Sequence, residues 1–109
     1  MAINWSTVSA DVSTAIGNVI GASWGSMSSG GSSQIAAIVA AGQSIENSRA
    51  TMTQVDYDML RLMQQRAMEG VLQSYAAISL VVAEQAAAAA WGVVSAALKA
   101  AYPALGFIA

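Results

Sequence analysis

The segment from Val71 to Ala101 constrains this chain more than any other feature. It reads VLQSYAAISLVVAEQAAAAAWGVVSAALKAA, with Glu84 and Lys99 its only charges. Most of these residues are strong helix formers, and the only proline of the chain is Pro103, so helix is expected from Gln34 onward. A helix that is apolar on all sides must be buried on all sides. A membrane span is the obvious alternative, but Glu84 and Gln85 sit in the middle of the segment, and a central carboxylate costs a few kcal/mol on insertion scales. Burial within a protein assembly is the favoured expectation.

Composition sharpens that expectation. Hydrophobic residues make up 56% of the 109 and charged residues 9%, against about a quarter charged in an average soluble domain. Twenty-four of the apolar residues are alanine, which buries little area each but allows close backbone approach. The predicted protomer is therefore covered by further copies of itself, as a homopolymer or with close paralogues. A net charge of -2 supplies no basic field for a phosphate backbone, so nucleic acid is not an expected partner. With no Cys and no His, thiolate zinc sites, haem ligation through either residue and Ser-His or Cys-His nucleophiles are excluded. No catalytic, cofactor or metal site is assigned, and the chain is not expected to be an enzyme.

Along the chain, Val8, Val12, Ile16, Ile20 and Trp24 recur every fourth residue, which predicts an N-terminal helix over 4–24. The opening lacks a basic start and an apolar centre, so the expectation is a protein that begins in the cytoplasm. The run GSMSSGGSS over 25–33 reads as a Gly/Ser loop or hinge, with Gly25, Gly30 and Gly31 as the pivots. From 34 to 101 the reading is one long helix of roughly 100 Å at 1.5 Å per residue, or two helices forming a hairpin with a bend at Gly70. Tyr102-Pro103 ends it, leaving 102–109 as an apolar tail. The fold class is all-α, a single polymer-forming domain over 1–109.

Ile38, Ile45, Met52 and Met59 repeat every seven residues, with Val55 and Leu62 between them, giving two to three heptads of coiled-coil character. These six, with Trp5, Trp24 and Trp91 as aromatic anchors, are the expected assembly contacts. Seven of the ten charged residues lie between Glu46 and Glu69 and read as a solvated, mutually neutralised face. Asp56 and Asp58, two apart on a helix, point in different directions and form no catalytic dyad.

Val8 to Ile16 (VSADVSTAI), the Gln/Asn-containing block from Gln43 through Asn47 to Gln54, and Ala67-Met68-Glu69-Gly70-Val71 followed by Tyr75 resemble the Reb proteins, the small subunits of bacterial R-bodies. That resemblance implies a structural protein polymerised into a ribbon in the bacterial cytoplasm, as an insoluble assembly. Low pH would extend the ribbon against a membrane, which is then the target rather than the solvent. Without histidine, a pH-sensing role falls to a carboxylate of raised pKa. Glu84, with Val81, Val82 and five alanines nearby, is the first candidate, and Asp56 and Asp58 are the second. The alternative is a membrane-active or phage- or pilin-type helical filament or channel subunit.

Overall fold

The side chain of Asn4 accepts a hydrogen bond from the Thr7 N–H at 3.2 Å, filling one of the donors left open at a helix start. Helix α1 then runs Trp5–Ile20. The computed structural model describes residues 3–21, 24–76 and 78–105, and only the backbone of 25–31, 75 and 76. Three further helices follow: α2 Trp24–Ser48, α3 Gln54–Ala76 and α4 Leu80–Ala101. The chain is all-helical, with no strand among the described residues.

Helix α1 ends at Gly21, whose φ of 85° is open to glycine at no steric cost. Its every-fourth stripe of Val8, Val12 and Ile16 is buried, each side chain contributing about 1.5–3 kcal/mol on transfer from water. Helix α4 packs against all three others, whereas α1 and α3 make no contact with each other among the described residues. The core is continuous, from Val8, Val12 and Ile16 through Ile35, Ile38 and Ile45 to Met68, Leu72, Trp91, Val94 and Leu98.

The glycine-serine run 25–33 is not the loop its composition predicts: its backbone is helical and forms the first part of α2. Trp24 supplies the reason. It is buried, and its indole N–H donates to Ser13 Oγ at 3.1 Å, so the core fixes the chain one residue before the run begins. Extending an established helix costs only about 1 kcal/mol per glycine relative to alanine. Gly25, Gly30 and Gly31 therefore lie inside a helix, and the first turn comes earlier, after Ile20. Trp24 belongs to α2 rather than to the end of α1.

The long helix expected over 34–101 is broken twice, over 49–53 and before Leu80, but not at Gly70, which lies inside α3. The first break is a reciprocal cap. The Asp56 N–H donates to Thr53 Oγ1 at 3.1 Å, and the Thr53 N–H donates to Asp56 Oδ2 at 3.3 Å, which makes position 53 a helix start. At the second, Ser79 accepts from the Val82 N–H at 3.3 Å. Folding back shortens the molecule to 40 Å in its longest dimension, so the apolar segment is not part of one long helix. Helix α4 buries one face, Ala83, Ala86, Ala87, Ala90, Trp91, Val94 and Leu98. It exposes the other, where Leu80, Val81, Glu84, Gln85 and Ala88 meet solvent. Within the tail 102–109, Leu105 packs against the core, and residues beyond it lie outside those described.

Candidate assembly surface

Helix α3 has two faces of different character. One carries Tyr57, Met68 and Leu72 into the core. Tyr57 meets Trp91 of α4 with ring centroids 6.0 Å apart at 55°, and the Trp91 indole N–H donates to Tyr57 Oη at 2.9 Å. This buried pair fixes the rotation of α3 about its own axis. The opposite face is thereby held outward, and it is apolar at its N-terminal end: Val55 is 67% exposed, Met59 60%, Leu62 47% and Met63 62%. The spacing i, i+4, i+7, i+8 places these four side chains on one stripe. Contiguous exposed apolar side chains of this kind mark interaction surfaces more often than scattered single ones do.

Charge surrounds the stripe. Asp58 accepts from Gln54 Nε2 at 3.0 Å and lies 3.9 Å from Arg61, so it is engaged along its own helix. Asp56 closes the cap with Thr53. Arg66 is exposed one turn beyond Leu62 and forms no ion pair among the described residues.

A second polar feature ties the two ends of the fold together. Glu46, near the end of α2, accepts from the Trp5 indole N–H at 2.9 Å, from Tyr102 Oη at 2.6 Å and from the Ile3 N–H at 3.4 Å. The Arg49 guanidinium lies 4.3 Å from the centre of the Tyr102 ring and donates to the Glu46 carbonyl oxygen at 2.6 Å. The Tyr102 hydrogen bond, followed by that of Trp5, holds the Glu46 carboxyl below its ordinary range. The same Tyr102 contact pushes the phenol above its own. The indole of Trp5 rests against Gly42, where an added Cβ would fall 2.6 Å from two ring carbons and 2.9 Å from Val94 Cγ1.

The structure divides the expected assembly contacts. Ile38, Ile45, Trp24 and Trp91 are buried in the protomer's own core, and Trp5 and Met52 pack partly against it. Val55, Met59 and Leu62 are exposed. Glu84 is exposed on the outer side of α4, so the chain's own core does not bury it. Asp56 and Asp58 are occupied in local cap and helix contacts within the chain. Glu46, Tyr102 and Gly42 carry no local motif, since the partners that matter lie far away in sequence, and Arg49 joins them through its place over the Tyr102 ring. Met63, adjoining Leu62, is legible in the sequence only as a broadening of the heptad stripe.

Helix α4 is long and apolar enough to cross a membrane by length and composition. Between the start of α1 and the end of α4 runs an open groove of about 360 Å³, lined on the α4 side by Ala97, Ala100 and Ala101 and on the other by Ile3, Val8, Asn4, Thr7 and Asp11, its one charged side chain. The Asn4 side chain and the Thr7 N–H are already bonded to each other in the cap of α1, which leaves few polar groups to fix a small molecule. No group of three acidic side chains gathers to hold a metal ion among the described residues. The chain matches no family model, no curated protein and no solved structure.

Proposed function

We propose that this chain is a structural subunit that self-assembles, with the outer stripe of α3 as an association surface. The observation that carries the reading is the stripe itself: Val55, Met59, Leu62 and Met63 face away from a core that is already filled. Their exposure does nothing for the isolated fold, and covering them removes apolar area from water. The low charge of the chain also favours association over dispersal. The resemblance to Reb proteins selects an R-body type of ribbon among possible polymers, built from this chain alone or with close paralogues in a bacterial cytoplasm. A self-complementary contact closes a pair, so an extended ribbon requires a second contact. Leu80 and Val81, exposed at the start of α4, are apolar side chains suited to one.

For the low-pH extension that comes with this reading, Glu46 is a further candidate sensor beside the carboxylates named from the sequence. Protonating Glu46 removes its charge and turns one of its two oxygens from acceptor to donor, which weakens the shared hydrogen bonds from Trp5, Tyr102 and Ile3 while Arg49 remains charged beside it. Because Glu46 is held below its ordinary range, a trigger there lies below the usual carboxylate range rather than near neutrality.

Electron microscopy and sedimentation of the expressed protein test the reading. Wild-type chain should pellet as detergent-resistant polymer. Met59→Lys with Leu62→Lys should remain soluble with its helical circular dichroism intact, since exposed substitutions usually change stability by no more than about 0.5 kcal/mol. A wild-type chain that stays monomeric at all concentrations ends the reading, and a double variant that polymerises normally removes the stripe from it.

A membrane-active subunit is the second reading, favoured by the length and apolar character of α4. It requires α4 to leave the bundle and enter lipid. Co-flotation with liposomes, with detergent needed for solubility, separates it from the polymer.

A further inference from the structure

We propose that the α3 stripe pairs with the same stripe of a second copy in antiparallel, two-fold fashion, centred between Leu60 and Arg61; this rests on the self-assembly reading above.

The argument begins with register. A two-fold axis makes residue i of one copy face residue j of the other, and j face i. Antiparallel helices paired about that centre set Met59 opposite Leu62 of the second copy, and Val55 opposite Arg66. Val55, Met59 and Leu62 then each face a named partner, Met63 flanks the seam at the level of position 58 of the second copy, and the innermost contact, Met59 with Leu62, is apolar.

Charge selects this orientation over the alternative. Asp56 and Arg66 are both exposed, and Arg66 has no ion partner among the described residues. In the antiparallel pair the Arg66 stem covers Val55 of the second copy, and its guanidinium reaches the Asp56 carboxylate beside it, twice per pair. A parallel pair stacks Arg66 on Arg66 and Asp56 on Asp56. Exposed ion pairs add little affinity, but like-charge juxtaposition is strongly disfavoured, so the charges decide orientation while the apolar stripe supplies association.

The chain has no cysteine, so introduced thiols report the geometry directly, in a dimer or in a longer polymer. An equal mixture of Val55→Cys and Arg66→Cys chains should give a disulfide-linked pair on a denaturing gel. Val55→Cys alone should give none, because the two positions 55 lie about 16 Å apart along the axis of an antiparallel seam, eleven residues at 1.5 Å each. Cross-linking of Val55→Cys with itself, or no cross-linking in the mixture while the chains still assemble, overturns the seam and leaves the self-assembly reading standing.

Charge inversion gives an independent readout. Arg66→Glu alone and Asp56→Lys alone should each weaken association about tenfold or more. Their equal mixture should restore it, because both 56–66 contacts of a mixed pair then join opposite charges. Since Asp56 also caps α3, helical content is measured on each variant, and restoration in the mixture is an outcome that cap damage cannot produce. Single variants that associate like wild type, or a mixture that stays as weak as its folded components, overturn the pairing. A monomeric wild type overturns the seam and the self-assembly reading together.

Discussion

The indole of Trp5 occupies the space that a side chain at position 42 would need: a Cβ built on Gly42 falls 2.6 Å from two of its ring carbons. Helices α1 and α2 approach this closely only because Gly42 has no side chain. The same indole donates to Glu46 one turn along α2, so it cannot swing away without losing that contact. Gly42→Ala should therefore destabilise the fold by about 1–3 kcal/mol, in the range of overpacked cores, despite alanine's better helix propensity. Urea denaturation checks this, and an unchanged midpoint would mean that the indole moves freely.

Gly70 is the opposite case. It lies inside α3, exposed, and an alanine methyl at this position would meet nothing within 4 Å. Gly70→Ala should raise stability by about 0.5–1 kcal/mol. The same substitution tests the bend expected from the sequence, because a functional hinge at Gly70 would lose shape change, whereas a plain helix position would not.

Tyr57→Phe keeps the ring of the Tyr57–Trp91 pair but removes the acceptor of the buried indole N–H. Leaving that donor unsatisfied should cost about 1–3 kcal/mol. Thermal unfolding measures the loss, and Trp91 fluorescence reports whether the indole shifts in the folded state.

The Glu46 cluster gives a pH dependence with a defined sign. A carboxyl held below its unfolded value stabilises the fold above that value, and the contribution is lost as pH falls through the lowered one. The stability difference between wild type and Glu46→Gln should be constant from neutrality down to about pH 5, then shrink as pH drops below the ordinary glutamate value of 4.5. Tyr102 belongs to the same hydrogen bond. Its raised phenol adds a loss of stability only on the alkaline side, above its ordinary value of 10.0. Denaturant midpoints across the pH range check both limbs, and a difference that grows in acid would reverse the assigned direction.

Local periodicity carries part of this fold in the sequence. Val8, Val12 and Ile16 repeat every fourth residue within one helix, and the stripe is buried as that spacing predicts. The heptad series behaves differently because it crosses a turn. Ile38 and Ile45 face inward on α2, whereas Met59, in register with them on paper, faces outward on α3, since the turn at 49–53 resets the helical phase. That turn contains no glycine or proline. Its signal is Thr53 with Asp56 three residues later, a capping pair that the helix-forming residues around it obscure. Glu46 and Gly42 are not legible at all, because a carboxylate or a glycine on a helix acquires its meaning from Trp5 and Tyr102, which only tertiary packing brings near.

Glu46 also sets where a pull on the two ends of the fold would be felt first. The chain enters α1 beside Ile3 and leaves α4 at Tyr102, and both residues bond to the same carboxylate. A pull applied between those two residues reaches one side chain of α2 before it reaches any of the helices. The bundle is in effect bolted across its ends, and tension between them would load these hydrogen bonds first.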